Sequence, residues 1–282
     1  MTRAGGTTVK AVEPPRWRSA AVIAAVAAAA IAYLFITAPP PLEASTPERT
    51  VPIHRVFAML DAENAAARAL WTEEIVDRGK AVGLAFDEHW RDANVDAGPL
   101  PALFLRETAR ALERSGLQLG LFLGSRFPIS TANRFTGPQQ ARFDALEGSG
   151  EPQVFFDPTT RLETAMFADR AVVAACARCH NEHADSPKRD WEVGAVMGAT
   201  TWMYPEERVS VKRALQLVAA LRTAIRAAYV AYLDKTKSFT FPPRIATRWP
   251  RDGYELPTAD AFMRELAKRT SDGTLARLLE EP

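Results

Sequence analysis

Both cysteines of this 282-residue chain lie in Cys176-Ala-Arg-Cys179-His180, with one of its four histidines directly after the second thiol. Two thiols at that spacing, followed at once by an imidazole, match the attachment site of a c-type haem. Each sulfur forms a thioether to a porphyrin vinyl group, and the imidazole takes an axial position on the iron. A disulfide or a thioredoxin-like redox pair would also use Cys-x-x-Cys, but neither gives a reason for the histidine. A zinc site would need about four ligands, and no second Cys or His pair stands at metal-ligand spacing. The expected cofactor is one covalently attached haem c held by Cys176, Cys179 and His180, with His180 as an iron ligand.

Candidates for the other face of the iron are His89, Met197, His54 and other methionines. His89 shares the apolar face of a helical pattern that carries Phe57, Leu60, Ala67, Trp71, Ile75, Val82 and Phe86, and it is the expected second metal ligand. Its competing reading is a satisfied core histidine. Met197 follows the motif in a Gly-rich segment and would give Met/His ligation, with ordinary strand packing as the alternative. His54 lies close to the amino-terminal stalk, and His183 is too near His180 along the chain to cross to the opposite haem face. Arg126, Lys188 and Arg189 are expected to pair with the haem propionates, because guanidinium and ammonium groups favour carboxylates. Trp191 and Trp202 read as core or haem-wall residues.

The elements that must position these groups alternate between helix and strand. Helical patterns run from about residue 52 to 90, over 102–115 and 138–146, over 161–177 leading directly into the haem motif, and over 209–235. Gly79 and Gly83 weaken the first of these and mark a kink or break. Residues 117–124, 152–156 and 192–204 read as strands, and short helices follow the proline-rich stretch 241–257. Helices flanking a few non-consecutive strands predict an α+β fold with a small antiparallel sheet.

Residues 19–38 carry no charge, about the length one helix needs to cross a bilayer. Arg3, Lys10, Arg16 and Arg18 precede it against Glu13 alone, so the expected orientation keeps residues 1–18 cytoplasmic and everything after 38 periplasmic. A cleaved signal peptide is the alternative, and Pro39-Pro40-Pro41 is a poor neighbourhood for signal peptidase. The expected organisation is an inner-membrane, single-pass anchor at 19–38, a Pro-rich stalk at 39–50, a periplasmic haem domain at 51–240 and a C-terminal extension at 241–282. With 35 basic against 34 acidic residues, no nucleic-acid footprint appears. No hydrolase, kinase or nucleotide-binding motif appears either, so the chain reads as a binding protein and not an enzyme.

At the haem motif and its flanks, Ala165-Met-Phe-Ala-Asp-Arg-Ala171, Cys176-Ala-Arg-Cys-His-Asn-Glu-His183, Ser186-Pro-Lys-Arg-Asp-Trp191 and Val196-Met-Gly-Ala-Thr-Thr-Trp202, the chain resembles the family of c-type haem domains with a PAS-like fold. That family was long described as a domain of unknown function, and it occurs alone behind a membrane anchor or fused to bacterial signalling proteins. The resemblance spans about residue 53 to 204 and implies a PAS-like antiparallel sheet with flanking helices. It also implies a redox or small-ligand sensor. The structurally described member of that family uses a cysteine from the preceding helical region as its second axial ligand. This chain has no third cysteine, so another residue fills that position or it stays open. The expected function is a membrane-anchored periplasmic monohaem sensor that signals through a separate signalling or redox partner or through a homodimer. The alternative is a periplasmic monohaem electron-transfer cytochrome.

Overall fold

A computed structural model describes residues 16–38, 49–171, 174–251 and 253–279. The chain divides into two units, residues 1–48 and 49–282. In the first, α1 (Arg16–Thr37) contains an apolar stretch, Ala20–Thr37, that is fully exposed and long enough to cross a membrane. It is a candidate membrane span or signal sequence. Residues 1–15 of the expected cytoplasmic flank and most of the Pro-rich stalk lie outside the described residues.

The second unit is α+β. It opens with β1 (Thr50–Pro52) and α2 (Ile53–Leu70), which runs without interruption through a π-helical turn (Trp71–Asp77) into α3 (Arg78–Ala81). This rod stops at Gly83, whose φ of +97° is left-handed and cheap only for glycine. The helix expected as far as residue 90 therefore ends nine residues early. Beyond it come β2 (Ala85–Asp87), β3 (Ala97–Pro99) and α4 (Pro101–Glu113), which starts with a proline where no N–H is needed.

Next come β4 (Gly120–Gly124), α5 (Gly137–Ser149), β5 (Gln153–Asp157) and β6 (Leu162–Arg170). The nine-residue α6 (Ala174–Glu182) carries the two cysteines and His180. It is followed by β7 (Val196–Tyr204), β8 (Arg208–Ser210) and α7 (Val211–Thr236), whose N-cap Ser210 accepts a hydrogen bond from the Arg213 N–H. Short β9 (Arg244–Ala246) and β10 (Glu255–Pro257) lead to α8 (Ala259–Leu279), one long helix where short ones were expected.

Four strands form an antiparallel sheet in the order β4-β7-β6-β5. The α2 side of this sheet presents Ala165, Trp202 and Tyr204 to the main core, while Met166, Ala199 and Phe155 face α5 through Phe143 and Leu146. Residues 162–170 are thus strand and not the helix expected over 161–177. Burial on both faces removes the alternation that marks a half-exposed strand, which leaves a helix-compatible run of Leu, Glu, Ala and Met. A register shift between Asp169 and Arg170 offsets the β6–β7 pairing at its last residue before α6.

The main core lies where α2, α4, α7 and α8 meet. Trp71 stacks on Phe104 at 4.3 Å and meets Tyr232 edge-on at 5.1 Å, and Tyr229 stacks on Phe262 at 4.3 Å. Arg222 of α7 forks onto the buried Glu63 carboxylate of α2 at 2.9 and 2.5 Å. Leu256, Phe262 and Leu266 belong to this same core, so the segment after residue 240 is integrated into the domain.

Candidate functional site

Residues three apart on a helix lie on one face, so α6 turns Cys176 and Cys179 to the same side and places His180 one step further round. Cys176 is half-buried and Cys179 exposed. The helix sits on a small patch of the domain: Ala171, Ala177 and Trp191 are buried together, and Cys176, Phe127, Ala195 and Met197 pack around them.

The residues after the motif hold α6 in place. The Asn181 side chain donates to the Trp191 carbonyl at 2.9 Å and accepts from the Trp191 N–H at 2.8 Å, which closes the 181–191 loop. Within that loop the Ser186 hydroxyl donates to the Lys188 carbonyl at 2.7 Å, and Lys188 lies over the Trp191 ring at 4.8 Å. The His183 Nδ1 accepts from the Asp185 N–H at 3.1 Å, which leaves Nε2 protonated to donate to Glu88 at 3.1 Å. This ties the turn after β2 to the end of α6.

Burial, reinforced by the nearby His183, lowers the pKa of His180 and favours the neutral imidazole, the form that ligates a metal. Its Nδ1 is buried without a hydrogen-bond partner. Desolvation raises the Cys179 thiol pKa despite the opposing field of Lys80. That is the reverse of the depressed pKa of a reactive redox thiol. Among the described residues, no group of three or more His, Cys, Asp or Glu is arranged to hold a metal ion. A haem attached at this motif asks less of the chain: two thiols on one side and one neutral imidazole next to them, which α6 provides.

The expected partners of the cofactor are placed as follows. His89 is not on a helix face. It lies in the turn after β2, with its side chain 67% exposed and its Nε2 3.5 Å from Glu88. The early end of the rod at Gly83 removes the helical argument for it as an iron ligand. His54 is exposed in the first turn of α2. Met197 alone among the distal candidates packs in the same cluster as Cys176, and its carbonyl accepts from the Ser125 hydroxyl at 2.6 Å.

Of the three basic residues expected at the propionates, each already has a protein acceptor. Arg126 pairs with Asp144 and with Glu147 (3.3 Å), and the Asp144 bond raises its pKa. Lys188 pairs with Asp190 at 2.5 Å, and Arg189 donates to the Ala184 carbonyl at 2.8 Å.

Sequence reasoning missed Arg68 of α2, which pairs with Asp169 at the end of β6. Its sequence signal is a single guanidinium set in Ala65-Ala-Ala-Arg-Ala-Leu70. A cleft of about 390 Å³ borders Trp191 and is lined by Arg170, Lys188 and Asp190 among others. A second, of about 510 Å³ between Glu74, Arg78, Arg248 and Trp249, contains none of the motif residues.

No family model matches the chain, and comparison with curated proteins and with solved structures found no match to either.

Proposed function

We propose that this chain is a c-type haem protein in which α6 carries one covalent haem through Cys176 and Cys179 and supplies His180 to the iron. The observation that carries the reading is the coincidence on one nine-residue helix of two thiols on a common side and an imidazole kept neutral by burial. When bound, the haem would supply a one-electron centre and a site where small ligands could bind. Cys176 and Cys179 fix the macrocycle against α6. The Asn181–Trp191 clamp and the His183–Glu88 bond tie down the carboxyl end of the helix that carries His180.

The role proposed is a redox or small-ligand sensor with a PAS-like domain, anchored in the inner membrane by α1 with the domain on the periplasmic side. A four-stranded antiparallel sheet with helices on both faces is compatible with that fold, and the fully exposed apolar Ala20–Thr37 supports an anchor. A sensor must give its two iron states different free energies of interaction with the surrounding fold. The contact that supports this is Glu88–His183, which joins the haem-motif helix to the turn that follows the 53–81 rod.

Hydrogen exchange on the oxidised and reduced full chain tests the role. The sensor reading expects altered protection in residues 55–90 as well as in 176–190. Identical exchange in both states, together with rapid electron transfer to a soluble periplasmic cytochrome, would make the chain a carrier.

A further inference from the structure

The two edges of the four-stranded sheet are finished differently. No residue of β4 is exposed, and α4 packs against that strand. At the opposite edge β5 pairs with β6 alone among the described strands. Helix α5 covers one face of β5, where Phe155 is buried. The other face carries Val154 and Phe156, which stand across from Ala165 and Glu163 of β6 and are 50% and 52% exposed.

An edge strand holds unpaired backbone N–H and C=O groups out to the surroundings, and folded proteins usually guard them with charged side chains, a bulge or a covering element. Gln153, Val154, Phe155 and Phe156 carry no charge. The pairing with β6 runs from Gln153–Met166 to Asp157–Leu162 in one register, so no bulge twists the edge away. Asp157 is buried, accepting from the Thr159 N–H at 2.9 Å and the Gln139 amide at 3.4 Å, and its charge does not guard the edge either.

The order of residues in this strand indicates what it fits. Pro152 and Pro158, Gln153 and Asp157, and Val154 and Phe156 stand in pairs at equal distances on either side of Phe155. An antiparallel copy of the strand, placed by a twofold axis through Phe155, therefore meets a pattern like its own. Val154 of each copy lies opposite Phe156 of the other, a cross-strand pair of a β-branched and an aromatic side chain made twice. The prolines fall at the two ends, where no ladder bond is needed, and they limit the contact to the five residues of β5.

We propose that β5 is the contact between two copies of this chain, which join edge to edge into one continuous antiparallel sheet with four strands from each. This surface does not rest on the haem reading. Five paired residues make a small contact, at the weak end of specific association. Holding both copies in one bilayer through the candidate span Ala20–Thr37 would raise their effective concentration.

The test is sedimentation velocity of the full chain in detergent, from dilute samples to the solubility limit. It compares wild type with Val154→Lys combined with Phe156→Lys, and with Val154→Lys combined with Phe156→Glu. Wild type is expected to show a concentration-dependent equilibrium between monomer and dimer, with slower hydrogen exchange over residues 153–157 in the concentrated sample. The doubly basic variant sets like charges opposite each other twice and is expected to weaken the dimer about tenfold or more. The variant of mixed charge sets Lys opposite Glu in both pairs and should dimerise more tightly than the doubly basic one.

A wild-type chain that stays monomeric at every concentration would overturn the proposal. A dimer unchanged in the doubly basic variant would place the contact elsewhere, α1 included, and equal weakening in both variants would reject the pairing about Phe155. Growth beyond a dimer would mean head-to-tail joining and would also reject it. If neither variant folds, wild-type hydrogen exchange decides: the same protection over residues 153–157 in dilute and concentrated samples rejects the proposal.

Discussion

The ground beneath α6 and the core between α2 and α7 are built from different materials. Around Trp71 the domain packs large rings: Phe104, Tyr229, Tyr232 and Phe262 are all fully buried, and the Trp71 Nε1 donates to the Pro99 carbonyl at 3.2 Å. At α6 the buried cluster is Ala171, Trp191 and the helix's own Ala177, and the helix is held by side-chain hydrogen bonds at its carboxyl end. Aromatic packing buries much area per residue and supplies most of the stability. A lightly packed helix with polar ties contributes less, but it leaves the cysteine and histidine side chains available for chemistry. On the proposed haem reading, stability and function occupy separate parts of one domain, as expected when low-stability elements are the ones that bind and move.

That separation can be broken by experiment. Trp71→Ala removes the centre of the ring cluster and is expected to lower the unfolding free energy by about 3–5 kcal/mol in a denaturant titration. Protein that still folds should carry haem normally. Asn181→Ala removes both ties to Trp191 and is expected to cost about 1–3 kcal/mol, felt locally as faster hydrogen exchange over residues 181–191. The global unfolding midpoint should move little, while the haem absorption spectrum changes as the carboxyl end of the helix that carries His180 loosens. A global loss from Asn181→Ala equal to that from Trp71→Ala would show that the two regions form one cooperative unit.

The same contrast explains what could be read from sequence. Helix α7 was legible because its apolar residues recur on one face and Ser210 caps its start. The Cys-x-x-Cys-His motif stands out in the sequence because it is local, three side chains within five residues, and the structure sets all three on one helix. Strand β6 was not, since Ala165 and Met166 are buried on opposite faces of the sheet and erase the period of two. His89 was misplaced because periodicity continued past Gly83, whose left-handed backbone ends the rod. Arg68 was passed over because its ion pair is with Asp169, about a hundred residues away in sequence, and its burial is reported by no local pattern.

Denaturing mass spectrometry of the full chain, produced alongside a c-type maturation system, tests the central claim most directly. The account expects the wild-type polypeptide to be heavier by one haem. Cys176→Ala combined with Cys179→Ala should have the mass of the bare chain. A wild-type chain at its bare mass, with the haem recovered free or absent altogether, would contradict the assignment of α6 as a haem-attachment helix.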